Sequence, residues 1–286
     1  DTTDQLSVVK EVAREVHISG RDLDAKKVLW TISRAKNDGG APDAGDGTDE
    51  YSLLAARLYP RYADALKAYN AVDFDDLLLL TLRLFRTFPD VLRRWKERVR
   101  HVLVDEFQDT NAVQYDLVRL LALPEGKITV VGDDDQSIYG WRGAAPGNIH
   151  SFAGDWPGVK VITLDQNYRS TVGILEAANA VISRNGGRKP KKLWSDLGQG
   201  DPVRIVTCVT GEDEAEAVVG RISSLLAARQ CRAGECAVMF RTNAQSRLFE
   251  DVLRRERIRY FVIGGMRFYD RKEVRDLISY LSLVFN

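Results

Sequence analysis

Two adjacent carboxylates, Asp105 and Glu106, follow the apolar run Val102, Leu103 and Val104 in the string VLVDEFQDT. A short apolar run of this kind suits a buried parallel strand. Ligands of parallel α/β sheets gather at the carboxyl ends of the strands. An aspartate there can hold the magnesium of a nucleotide, and the glutamate after it can orient and deprotonate an attacking water. The plainer reading of DEFQD is a surface acidic cluster, and the apolar residues before it weigh against that.

Three further strings carry chemistry at strand-to-helix junctions. In VVGDDDQSIYGWRGA, Val130 to Ala144, the Gln136 amide both donates and accepts, which suits sensing a terminal phosphate. Tyr139, Trp141 and Arg142 crowd one glycine-flanked loop, a stacking platform for unpaired bases. The alternative is that Trp141 packs under the loop as a small satellite core. In LDQNYRST, Leu164 to Thr171, Arg169 is placed to stabilise charge on a transferred phosphoryl group, and Tyr168 offers a face to a base. A structural salt bridge is the competing role for this arginine. In FRTNAQSR, Phe240 to Arg247, Arg241, Thr242 and Asn243 precede a helix and suit a nucleic-acid phosphate. Asn243 acting as a helix cap is the bland reading there.

The elements that must hold these residues can be read from periodicity. Apolar residues at spacings of three and four predict helices over Gln5 to Val16, Ala25 to Ala35 and Leu53 to Asn70. The Gly/Asp-rich stretch Asn37 to Glu50 predicts a loop. A strongly apolar helix is expected over Asp75 to Phe88, ended by Pro89. Further helices are expected over Ala112 to Leu123, Thr171 to Arg184, Glu212 to Ala228, Ala244 to Arg255 and Glu273 to Val284. Strands are expected at Val102 to Val104, Lys127 to Val131, Val159 to Leu164, Val203 to Cys208, Ala237 to Phe240 and Tyr260 to Ile263, with a polar loop over Arg188 to Pro202. Strands alternating with helices imply an α/β fold with parallel sheets after an all-helical first stretch.

Composition sets outer limits. The 286 residues suffice for two domains, and 44% hydrophobic with 29% charged residues is ordinary for a globular protein. A formal net charge of zero does not announce a nucleic-acid binder, though a basic groove can coexist with acidic surface elsewhere. The cysteines Cys208, Cys231 and Cys236 are too few for a disulfide framework and are not spaced for zinc. No apolar run is long enough for a membrane span.

Taken together, the four strings resemble those of superfamily 1 DNA helicases of the UvrD/Rep/PcrA branch. DEFQDTN is similar to that family's Walker B motif, GDDDQSIYGWRGA to its motif III and LDQNYRST to its motif IV. VDFDDLL at Val72 to Leu78 and GGMRFYDRKEVRDLISYL at Gly264 to Leu281 also look like family segments. The resemblance implies parts of two RecA-like motor domains, residues 73–162 and 163–286, with residues 1–72 as a helical subdomain inserted in the first. It implies that Asp105 holds Mg2+, Glu106 acts on the hydrolytic water, and Gln136 contacts the γ-phosphate of ATP. By the same likeness Tyr168 stacks on adenine and Arg169 is the arginine finger. Phe74, Tyr139, Trp141, Arg142, Arg241 and Asn243 would line a single-strand track.

The implied activity is an ATP-dependent 3′–5′ helicase or translocase of DNA repair or replication, in the bacterial cytoplasm at the nucleoid. Its partners would be single-stranded DNA, single-strand/duplex junctions and the remaining segments of the same helicase, with no membrane. The sequence departs from the family in lacking a Walker A loop: its Gly126-Lys127 pair is followed by Ile128 and has no upstream glycine. The family's N-terminal Gln motif and the later motifs of the second motor are absent too. A fragment with negligible hydrolysis of its own is therefore expected. The alternatives are the helicase portion of a RecB-like helicase–nuclease and a single-strand-binding module without catalysis.

Overall fold

The computed structural model describes residues 1–18, 23–43, 49–123, 127–186, 191–263 and 276–280, with the backbone alone for Arg142. The chain falls into two compact units, Asp1–Asp201 and Pro202–Asn286.

The first unit opens with three helices, α1 (Thr2–Glu15), α2 (Ala25–Asn37) and α3 (Glu50–Ala68). Their apolar stripes meet in one core of Val9, Val12, Val28, Ile32, Ala55, Leu58 and Tyr62, all essentially inaccessible to solvent. A helix presents a continuous apolar face at spacings of three and four, so these residues could be placed from periodicity alone. Helix α4 (Phe74–Thr87) follows, capped by Asp73. It packs through Leu79 and Leu82 on Val113 of α6 (Ala112–Ala122). The intervening α5 (Pro89–Arg98) was not expected. Pro89 does end α4, but it also opens α5, at a first-turn position where its missing N–H goes unused.

Strands β1 (Val102–Val104) and β2 (Ile128–Val130) pair in parallel, Val102 opposite Ile128 and Val104 opposite Val130. Beneath them lies an aromatic cluster of Phe107, Tyr115, Phe152 and Trp156. Phe152 belongs to α7 (Gly147–Asp155), a second unexpected helix, and α8 (Val172–Ile182) comes next. In the second unit α9 (Gly211–Ala227) and α10 (Ser246–Arg255) pack through Ala215, Val219, Phe249, Val252 and Leu253. Residues 276–280 are helical, while the rest of the expected helix Glu273 to Val284 lies outside the described residues. Parts of the two expected loops, residues 44–48 and 188–190, also lie outside them.

The parallel α/β character holds, and the strand count needs correction. Among the described residues the stretches expected at Val159 to Leu164, Val203 to Cys208, Ala237 to Phe240 and Tyr260 to Ile263 are not in a ladder. A strand exists only as part of a hydrogen-bonded pair, and among the described residues these stretches take part in no such pairing. Val161, Ile162, Leu164, Ile205, Val206, Met239, Phe261 and Ile263 are correspondingly exposed.

A buried polar cluster joins α2 to α4. Lys36 Nζ lies 2.7 Å from Asp73 Oδ2 and 2.8 Å from Asp76 Oδ1. The Tyr62 hydroxyl donates to the same Asp73 oxygen at 2.9 Å. Burial comes first in pushing the Tyr62 phenol well above its ordinary range, and the Asp73 charge adds to it.

Candidate nucleotide site

The parallel pairing of β1 and β2 delivers two acidic loops side by side. Val131 N–H donates to Val104 O at 2.8 Å and Phe107 N–H to Val131 O at 2.9 Å, so the ladder continues into both loops. Glu106 sits between them with φ +50° and ψ +43°, the left-handed region. For a residue with a Cβ this costs on the order of 1–3 kcal/mol, and such strain gathers where function needs it. The turn brings Asp105 and Glu106, which would face opposite ways along a regular strand, to one exposed end. Asp105 Oδ1 accepts from Glu106 N–H at 2.9 Å. Its other carboxylate oxygen makes no hydrogen bond among the described residues.

A relay of side chains connects the two loops. Gln108, almost wholly buried, donates from Nε2 to Glu106 Oε2 at 2.7 Å. Its Oε1 accepts from Asp133 N–H at 3.0 Å. Asp133 Oδ2 in turn accepts from Gln136 Nε2 at 2.8 Å. The relay needs a glycine at 132, because a Cβ there would stand 2.8 Å from Gln108 Oε1 and 3.2 Å from Phe107 N. The structure thus brings Asp105, Glu106 and Gln136 into one hydrogen-bonded set.

The aromatic loop beyond Gln136 is a 3-10 turn, Gly140–Arg142, closed by Gly143 at φ +86°. Trp141 is 60% exposed, so it does not pack under the loop. Its ring lies 6.3 Å from that of Tyr139, tilted by 45°. Phe74, at the start of α4, is 69% exposed.

Tyr168 is 79% exposed, its hydroxyl donating to Gln166 Oε1 at 2.9 Å. Asn167 Oδ1 accepts from the backbone N–H groups of Arg169 at 3.0 Å and Ser170 at 2.7 Å, which sets the turn from which Arg169 projects. The Arg169 guanidinium is exposed and makes no ion pair among the described residues, so the structural salt bridge is not what it does here. Arg241 and Asn243 lie in the second unit, both exposed. Asn243 does not act as the cap: Gln245 Oε1 accepts from Arg241 N–H at 3.1 Å and from Thr242 N–H at 3.0 Å.

Comparison with known proteins bears on the same strings. The family model described as the UvrD/REP helicase N-terminal domain matches residues 1–157, and that of the UvrD-like helicase C-terminal domain matches residues 162–286. The chain belongs to the UvrD/Rep helicase family. It is 43% identical over 288 residues to a protein named ATP-dependent DNA helicase PcrA from Leuconostoc citreum, covering all of this chain and 38% of that protein. Like-named proteins of Staphylococcus epidermidis and Staphylococcus aureus are 43% identical over 292 residues, with 39% of each covered. The chain thus spans under two fifths of the length of these relatives.

Three residues of this family member escaped the sequence reading: Gln108, Asp133 and Lys191. Gln108 carried a usable signal, an amide two residues after a strand-end glutamate. Asp133, Asp134 and Asp135 bring carboxylate oxygens within 4.8 Å of one another, the spacing of a cation site. The Lys191 ammonium stands among them, 2.7 Å from Asp134 Oδ1, 3.1 Å from Asp135 Oδ2 and in contact with Asp133 Oδ1. One side-chain ammonium thus touches all three carboxylates. No helix among the described residues is long and apolar enough to cross a membrane.

Proposed function

We propose that this chain is part of an ATP-dependent DNA helicase that couples hydrolysis to 3′–5′ movement on single-stranded DNA and to duplex unwinding, in DNA repair or replication. The observation that carries the reading is the relay Glu106–Gln108–Asp133–Gln136 at the ends of two paired parallel strands. A nucleotide-hydrolysing motor needs its water-activating group and its phosphate-sensing group to report to each other, and this relay links them through three hydrogen bonds.

Each residue then has a role. The free oxygen of Asp105 fits Mg2+, and bound MgATP supplies the phosphoanhydride that is broken. Glu106 accepts the proton of the attacking water, oriented by the Gln108 amide. Gln136 meets the terminal phosphate. Tyr168 presents its ring to the base, and the unpaired Arg169 stabilises charge developing on the transferred phosphoryl group. The exposed rings of Phe74, Tyr139 and Trp141, with Arg142, Arg241 and Asn243, hold single-stranded DNA and single-strand/duplex junctions by stacking and phosphate contact. Residues 1–72 serve as the inserted helical subdomain, with 73–162 and 163–286 as parts of two motor domains. The complete protein acts on DNA in the bacterial cytoplasm.

The test is Glu106→Gln in the full-length protein. The amide keeps the shape and cannot take the proton, so DNA-stimulated turnover should fall by about 10²–10⁴-fold while ATP still binds. Turnover near wild type, or a loss of ATP affinity as large as the loss of rate, would remove Glu106 from the chemistry.

A further inference from the structure

Lys191 lies in the stretch before Trp194, far in sequence from the three aspartates it meets. Its side chain is 17% exposed, and those of Asp134 and Asp135 are 10% and 11% exposed. Three adjacent carboxylates in a half-buried turn repel one another, and the repulsion is stronger where water is excluded. That turn is the one that carries Gln136: Asp133 caps it, accepting from Asp135 N–H at 3.0 Å and from the Gln136 amide at 2.8 Å. A cation among them offsets that repulsion and so favours this shape of the turn.

The other end of the Lys191 segment reaches Arg169. Trp194 N–H donates to Asp165 O at 3.1 Å, and Asn167 N–H donates to Trp194 O at 2.7 Å. Asn167 is the residue whose carboxamide fixes the Arg169 turn. A continuous path therefore runs from Glu106 through Gln108 and Asp133 to Lys191, and on through Trp194 and Asn167 to Arg169. Every polar contact on it lies within one compact unit.

We propose that Lys191 is a positioning residue that clamps the Gln136 turn to the Arg169 segment, so that the phosphate-sensing amide and the arginine are set together. The proposal rests on the reading that Glu106, Gln136 and Arg169 serve a nucleotide. Burial alone would lower the Lys191 ammonium, and the hydrogen bonds it donates to Asp133, Asp134 and Asp135 outweigh it and hold the group above its ordinary range. The ammonium thus stays charged throughout the range in which such a motor works. An ammonium suits this place better than a guanidinium, being a compact charge with three donors for three carboxylates.

The experiment uses the full-length protein and measures ATP turnover with saturating single-stranded DNA. Lys191→Met should lower kcat by about 10²-fold, the scale of a misplaced reacting group, with KM for ATP little changed. Combined with Arg169→Ala it should lower turnover scarcely below Arg169→Ala alone, because residues that act through one another are not additive. A role limited to stability predicts a lower melting temperature with normal kcat below the melt, and that result overturns the clamp. If Lys191→Met does not fold, the double variant Asp134→Asn with Asp135→Asn removes the charges that Lys191 answers and leaves Asp133 on Gln136. The clamp requires its kcat to fall as well, and wild-type kcat there overturns it. Mn2+ binding to nucleotide-free wild-type protein, lost in Asp134→Asn, would put a metal among these carboxylates and also overturn it. Glu106→Gln and Arg169→Ala are the controls for the underlying reading. If both turn over normally the nucleotide assignment fails. If both are inactive while Lys191→Met is normal, the clamp alone fails.

Discussion

Neighbouring residues in the aromatic loop should separate by their physics. Trp141 offers an exposed ring beside that of Tyr139. Stacking on a base is sequence-tolerant and hardly screened by salt. Trp141→Ala in the full-length protein should therefore cost roughly 1–3 kcal/mol of single-strand affinity per base lost. The slope of log affinity against log salt should stay nearly unchanged. Arg142, read from the sequence as a phosphate contact, should behave oppositely: Arg142→Ala should reduce that slope by about 0.7, one counterion-releasing contact on a single strand. A salt titration of both variants, with thermal melts alongside, checks the pair. A Trp141→Ala protein that binds normally, or an Arg142→Ala protein with an unmoved slope, would reassign the residue concerned. The exposure of Trp141 already argues against a role in holding the loop together, since a ring under the loop would be covered.

At the scale of elements, the joint between α2 and α4 rests on a buried cation. Lys36→Met leaves the Asp73 and Asp76 carboxylates buried without their partner, a change that destabilises by about 3–5 kcal/mol. Chemical denaturation of the two proteins measures it, and a difference under about 1 kcal/mol, the size of an exposed pair, would show that the joint is wet. The pH dependence has a definite sign. Burial alone raises the Asp73 carboxyl, but the hydrogen bond and charge of Lys36, the Asp76 N–H and the Tyr62 hydroxyl outweigh it and hold the group below its ordinary 3.8. A depressed folded value means the stabilisation is fully present above about pH 3.8 and is lost as pH falls through the folded value. In Lys36→Met burial is less opposed, so the Asp73 carboxyl is held less far below 3.8, and acidification should cost the variant less stability than it costs the wild type.

This joint also marks what the sequence could and could not disclose. Apolar spacing placed α1, α2, α3, α4, α6, α8 and α9 because burial of a stripe is a local property of a helix. The same patterns predicted strands at Val159 to Leu164 and Val203 to Cys208, where the apolar run is real but no ladder pairing forms among the described residues. Helix α5 was hidden by reading Pro89 only as a stop, and α7 by its glycine start. That Asp105, Glu106 and Gln136 come together was legible from residue type in the loops that follow the two strands. The Gln108 relay and the Lys191 clamp were not, since both depend on distances across the fold between residues far apart in sequence.

At the scale of the whole molecule, the parts of the site are unevenly represented. Glu106, Asp105 and Gln136, proposed to activate water, hold magnesium and sense phosphate, sit in one hydrogen-bonded set in the loops that follow β1 and β2. The string G-x-x-x-x-G-K-[ST], whose backbone N–H groups and lysine cradle the phosphates in P-loop proteins, does not occur in the 286 residues. Phosphoryl transfer depends almost entirely on positioning and charge stabilisation, so a carboxylate ready to accept a proton has little to act on when the phosphates are not held. The formal net charge of zero supplies no general attraction for a polyanionic nucleotide to compensate. The 286-residue chain by itself should therefore hydrolyse ATP negligibly, with or without single-stranded DNA. The measurement is phosphate release by the purified chain and by its Glu106→Gln variant at equal concentration. Equal, background-level rates are expected, because a trace of contaminating hydrolase survives the substitution and chemistry at this site does not. DNA-stimulated turnover at a motor's rate, abolished by Glu106→Gln, would mean that these residues hold the phosphates without a P-loop, and that the cradle must be sought among groups already on the chain.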